Sequence, residues 1–164
     1  MRQNKMTGRI IIWVMVAILL PAITLQAEIK GPQQPSNKDK CPVCGMFVYK
    51  YPDWTAQIIF KDGAVAFFDG CKDLFKFYLN LNKYKPGKKI DDIAAIYVTE
   101  YYDMKSIPAA DSYFVVGSGI YGPMGHELIP LAAKKDAETF KIDHNGKGIL
   151  RFEEITRKVI DGLD

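Results

Sequence analysis

The sequence predicts an α+β fold: two ββαβ modules, residues 41–100 and 101–164, with antiparallel sheet packed on helices. Three observations lead there. Short β-branched and aromatic runs are bounded by turn residues, as at Thr55–Phe60 and Ala64–Phe68 around Lys61-Asp62-Gly63. Two other segments repeat apolar residues at helical spacing: Cys71, Leu74, Phe75 and Tyr78 in one, Ala133, Ala137 and Phe140 in the other. The order strand, strand, helix, strand then occurs twice. With 48% hydrophobic, 12% aromatic and 25% charged residues in a chain of 164, collagenous, coiled-coil and wholly disordered architectures are excluded.

Taken in order, the chain opens with Arg2, Lys5 and Arg9, the apolar run Ile10–Leu20, the breaker Pro21 and then Leu25-Gln26-Ala27 before Glu28. This is the layout of a secretory signal peptide over residues 1–27, so the protein is expected to be exported. Ile10 to Leu25 is 16 residues with one proline, short of the roughly 20 that a spanning helix needs. Left uncleaved, the leader would serve as a membrane tether. No cysteine lies near the cleavage region, so no lipid attachment site is expected. Residues 28–40 are polar and Pro-rich and read as a flexible tether.

The folded unit is expected from Cys41. Phe47–Tyr49 reads as a strand and residues 55–68 as a hairpin. Asp69 is placed to cap the first helix, which Lys85-Pro86-Gly87 stops before the strand Ile93–Thr99. In the second half the strand Tyr113–Val116, a Gly-rich loop, the strand Leu128–Leu131, the second helix and the strand Ile149–Phe152 follow.

Charge narrows the function. The formal balance is +3, but the three leader cations have no acid beside them, and without them 19 basic residues face 19 acidic ones. A neutral domain with no basic stripe lacks the electrostatic footprint of a nucleic-acid binder. No nucleophile with a matching base and no strand, Gly-rich turn and helix for a nucleotide stand out, so no enzyme is expected.

The chemistry lies in sulfur. Cys41-Pro42-Val43-Cys44-Gly45-Met46 sets two thiols and a thioether within six residues. If residues 44–47 run extended, Cys44 and Met46 share a face and the Pro42 turn folds Cys41 back towards them. A second cluster sits in Gly117-Ser118-Gly119-Ile120-Tyr121-Gly122-Pro123-Met124-Gly125-His126, where Gly and Pro forbid regular structure around a Met and a His. Thiolate, thioether and imidazole in low coordination suit Cu(I), a soft ion without the four fixed ligands of structural zinc. Weakly held thioethers let the ion be passed on. The candidate ligands are Cys44, Met46 and Met124, with Cys41 and His126 as helpers.

Two other readings of these residues stand beside it. One is a disulfide between Cys41 and Cys44 that pins the domain, with Met124 filling a gap in the core. The other is a periplasmic CxxC thiol-disulfide protein without a metal role, although no helix follows the motif to activate its thiol. Cys71 shares a helical face with Leu74 and Phe75 and is expected to be buried. Asp143, Asn145, Gly148 and Glu154 match positions of a calcium loop, but Lys147 puts an ammonium where an oxygen ligand belongs. A plain helix-turn-strand is the simpler reading. His144 in that turn is expected to face solvent.

On these residues the chain resembles the NosL family of nitrous oxide reductase accessory proteins. The resemblance runs from Cys41 to about Ile155. It rests on the CxxCGM start, Ile93-Ala94-Ala95-Ile96-Tyr97-Val98, Tyr113-Phe114-Val115-Val116-Gly117-Ser118, Gly122-Pro123-Met124-Gly125 and the closing helix, glycine turn and strand. It implies a periplasmic Cu(I) metallochaperone of two ββαβ modules. Such a protein delivers copper to an acceptor protein of the machinery that builds the reductase's copper centres. Cys44, Met46 and Met124 match the family's Cys and Met positions.

Overall fold

The computed structural model describes residues 31–164, so the expected leader lies outside the described residues. Strands β1 (Ala56–Phe60) and β2 (Val65–Phe68) form the expected hairpin, with Ala56 opposite Phe68 and Ile59 opposite Val65. Its turn closes through Gly63 N–H to Phe60 C=O at 2.9 Å, with Gly63 at a left-handed φ of +85°. Helix α1 (Cys71–Leu79) follows, then the single turn α2 (Leu81–Tyr84) and strand β3 (Ile93–Thr99), which returns to the free side of β1. A short strand β4 (Ser106–Pro108) extends this sheet, giving the order β2-β1-β3-β4.

The second half is built on β5 (Tyr113–Val116). A small hairpin of β6 (Tyr121–Gly122) and β7 (Gly125–His126) comes next, then β8 (Ile129–Leu131), α3 (Lys134–Asp143), β9 (Gly148–Arg151) and the short helix α4 (Arg157–Asp161). The second sheet has the order β8-β5-β9, antiparallel throughout. In both halves the first strand is central and the strand after the helix closes its open side. The first sheet gains β4 from residues 106–108, beyond the expected first module, and the second half adds the β6–β7 hairpin, so neither is a bare ββαβ unit.

Helix α1 lies between the two sheets. Phe77 packs edge-on against Phe68 of β2 at 5.1 Å, while Phe75 meets Phe114 of β5 at 5.4 Å and Phe152 at 5.0 Å. Strand alternation explains how β5 serves two cores: Phe114 joins the main core and Val115 points into a second cluster with Phe140 of α3. Full burial of a ring such as Phe75 contributes about 1.5–3 kcal/mol. Because packing encloses α1 on several sides, even its polar residues Lys72 and Asp73 are buried.

Three local expectations give way. Residues 48–50 form a 3-10 turn, and Phe47 makes only an isolated bridge to Lys40, because the left-handed Gly45 and the Pro52 turn leave no room for a strand. Helix α1 has Gly70, not Asp69, at its N-cap, with no side-chain cap of its own. In the described part of the expected tether, Gln33 exchanges two bonds with the Gln57 side chain (2.8 and 3.0 Å), and Asp39 C=O accepts from Val48 N–H at 3.1 Å. That stretch is therefore folded onto the domain ahead of Cys41. Among the described residues no helix is long and apolar enough to cross a membrane.

Candidate metal centre

The Cys41–Met46 segment is a closed turn. Cys41 N–H donates to Met46 C=O at 2.8 Å and Gly45 N–H to Cys41 C=O at 2.9 Å, with Gly45 at φ +80°. Residues 44–47 accordingly do not run extended, and the left-handed glycine sits between Cys44 and Met46. All three cysteines are free thiols. Cys41 is 1% exposed, Cys44 and Met46 are half-buried, and Cys71 is buried in the main core.

Each thiol of the CxxC pair faces a carboxylate. Cys41 Sγ donates to Asp73 Oδ2 at 3.2 Å and Cys44 Sγ to Asp69 Oδ1 at 3.1 Å. Asp69 comes from the junction between β2 and α1, Asp73 from the first turn of α1. A ligand atom from each of Cys41, Cys44, Asp69 and Asp73 lies within 4.8 Å of the others. The carboxylates are 1% and 3% exposed, and Asp69 Oδ2 is buried with no hydrogen-bond partner. Buried charge is costly unless paired, and an unsatisfied buried oxygen adds its own desolvation penalty. A cation seated among these four side chains relieves both.

Burial is the main reason that both thiols are pushed above their ordinary range, and the neighbouring carboxylates reinforce it. Cys44 rises to about 12 and Cys41 higher still. At neutral pH both therefore hold their protons. A CxxC built for dithiol exchange needs the opposite shift, towards a stable thiolate. A metal ion that displaces the protons fits this electrostatic setting better.

Met124 lies at the tip of the β6–β7 hairpin, turned by Gly125 at φ +90°, and is 43% exposed. Met124, His126 and Tyr121 line a cleft of about 300 Å³ whose opposite wall includes Lys72, Asp73 and Lys76 of α1. Asp73 is thus common to the thiol cluster and the methionine cleft. The His126 ring is exposed and lies against Tyr121, centroids 4.7 Å apart. The structure brings Cys41 and Cys44 together, and Met124 and His126 together, on two sides of Asp73. Met46 stays at the end of the closed turn.

A family model described as NosL matches residues 32–160. The chain belongs to the NosL family. It is 28% identical over 151 residues, 90% of this chain and 79% of its relative, to the copper-binding lipoprotein NosL of Stutzerimonas stutzeri. The crystal structure of the copper chaperone NosL from Shewanella denitrificans superposes with a TM-score of 0.67 at 30% identity, covering 79% of this chain and 98% of that one. The solution structure of apo-NosL from Achromobacter cycloclastes matches at a TM-score of 0.46 and 26% identity over 64% of this chain and 87% of that one.

Within this NosL domain, two residues at the cluster escape a reading of the sequence. Asp69 reads as a helix cap, and Asp73 draws no reading of its own from the sequence. Their i, i+4 spacing across the start of α1 was the available signal, because such residues share one face. His144 also differs from expectation: its ring packs on Phe140 at 4.3 Å and near Tyr101 at 6.2 Å instead of facing solvent. In the calcium-like segment Lys147 N–H donates to Val116 C=O and Glu154 accepts from Arg151 N–H, so it is an ordinary helix-turn-strand.

Proposed function

We propose that the protein carries one Cu(I) ion in the periplasm and passes it by ligand exchange to a copper-accepting protein of the nitrous oxide reductase assembly machinery, catalysing no reaction itself. The observation that carries this reading is the cluster of two thiols and two buried carboxylates with an unpartnered oxygen. Its relatives bear the names copper-binding lipoprotein and copper chaperone.

Cys44, Met46 and Met124 serve as ligands, with Cys41 and His126 as helpers. Sulfur donors select a soft monovalent ion over the harder divalent ones. Loading needs each ligating thiol to lose its proton. The carboxylate oxygens 3.1 and 3.2 Å away accept hydrogen bonds from the thiols until the ion arrives, and the displaced protons pass to solvent. Asp69 and Asp73 also offset the charge of the ion. The exposed Met124 lies where an acceptor can reach, and a neutral thioether is a weaker hold than a thiolate, so it is the first bond to exchange. The relative from Stutzerimonas stutzeri is named a lipoprotein, whereas the first cysteine here is Cys41, inside the folded turn.

The test is copper K-edge absorption together with anaerobic titration against a chromophoric Cu(I) chelator. Two or three sulfur scatterers and an affinity that falls in Cys44→Ser are expected. Scattering by nitrogen or oxygen alone, or an affinity unaltered in Cys44→Ser, would overturn the reading.

A further inference from the structure

Helix α1 is capped from across the molecule. The Glu127 carboxylate, 3% exposed, accepts through Oε1 from Lys72 N–H in the first turn of α1 and from its own neighbour Leu128 N–H at 2.9 Å. Gly70, the N-cap, makes room: a Cβ there would overlap Glu127 Oε2. Gly122 of β6 clears the other side, since its Cβ would lie 3.1 Å from Glu127 Cγ. The side chain of Lys72 runs back the opposite way. Its buried ammonium donates to Met124 C=O at 2.8 Å and to Leu163 C=O at 3.2 Å, and lies 3.5 Å from Asp164 Oδ1.

A helix N-terminus needs acceptors for its free N–H groups and favours negative charge. A local Ser or Asp at position 70 would satisfy it at less cost than a buried glutamate. The remote arrangement does something that a local cap does not: it ties the loop bearing Met124 to the first turn of α1, the turn that carries Asp73. Two connections act in parallel, one from Glu127 to the backbone of residue 72 and one from the ammonium of residue 72 to the backbone of residue 124.

We infer that Glu127 and Lys72 are positioning residues that hold the Met124 thioether in register with the Cys41, Cys44, Asp69 and Asp73 cluster. This rests on the reading of Met124 as a ligand of the carried ion. Neither residue touches the ion. Removing Glu127 lets the loop drift and leaves the thiol cluster intact.

The test compares Glu127→Ala, Glu127→Gln and Met124→Leu by sulfur count at the copper K-edge and by chelator competition. Glu127→Ala should lose one sulfur scatterer and about tenfold or more in Cu(I) affinity, the range in which supporting partners of metal ligands act. The double variant with Met124→Leu should bind no more weakly than Met124→Leu alone, because both changes remove the same bond. Glu127→Gln keeps an acceptor for Lys72 N–H and should restore the scatterer. Where Glu127→Ala fails to fold by circular dichroism, Lys72→Met, which has no donor for Met124 C=O, takes its place with the same expected loss. A full sulfur count in these variants, or a weakening that adds to that of Met124→Leu, overturns the inference and leaves the carrier reading standing. An unchanged sulfur count in Met124→Leu itself overturns both the inference and the role of Met124.

Discussion

Cys44 donates its thiol proton to Asp69 across 3.1 Å, and the second oxygen of that carboxylate is buried without any partner. The pair joins a turn before the first sheet to the start of α1. In the metal-free protein the unpartnered oxygen is a local cost to stability, and it lies in the cluster to which the proposed function assigns the ion.

Asp69→Asn should therefore separate stability from binding. Losing a buried, half-satisfied negative charge should raise the stability of the metal-free protein by about 1–3 kcal/mol, the penalty of such a group. The same change should weaken Cu(I) binding. Thermal denaturation and chelator competition on one preparation check both signs.

Copper affinity should rise with pH. Burial, helped by the carboxylates, holds Cys44 up to about 12, so across the ordinary range a thiol must release its proton when it becomes a ligand. The binding constant should climb by about tenfold per pH unit for each thiol displaced. Cys44→Ser should flatten the slope by one proton, as competition titrations at pH 6, 7 and 8 would read.

Glu127 sets an opposite trend in the stability of the fold. Burial raises it from 4.5 to about 8, against the pull of the Leu128 and Lys72 N–H groups and the Lys72 ammonium. A raised carboxyl means that the fold prefers the protonated form. Its contribution is complete below about 4.5 and is lost as pH climbs through about 8. Urea denaturation of the metal-free protein should give a lower stability at pH 8.5 than at pH 5, with a smaller difference in Glu127→Gln.

Phe75→Ala should cost about 3–5 kcal/mol, the range for deleting a buried ring. Phe75 touches Phe114 of one half and sits on the helix that packs on the other, so both halves should melt together at a lower temperature. Two separate transitions would show that α1 does not couple them.

Much of the fold was legible because short-range signals agreed with tertiary packing. The Lys61-Asp62-Gly63 turn and the flanking β-branched residues define the β1–β2 hairpin, and Leu74, Phe75 and Tyr78 define α1. Phe47–Tyr49 misled because its β-prone side chains were outweighed by a left-handed glycine before it and a proline turn after it. Strand β4, three residues long, carries no period to detect. Cys41, Cys44, Met46, Met124 and His126 stood out by chemistry and spacing, and the structure sets Cys41 and Cys44 in one cluster with two carboxylates and Met124 and His126 on the neighbouring cleft. The carboxylates did not stand out. An aspartate before or within a helix usually caps it or faces water, and only the enclosure of α1 between two sheets turns Asp69 and Asp73 inward. Glu127 was hidden for the same reason.

On the carrier reading, the two main-chain bonds that close the turn from Cys41 to Met46 bear on the energetics of exchange. An incoming ion meets a loop already folded, so little conformational entropy is lost on arrival and little is regained on departure. The free energy of loading then lies chiefly in the bonds at the ion and little in ordering the chain around it.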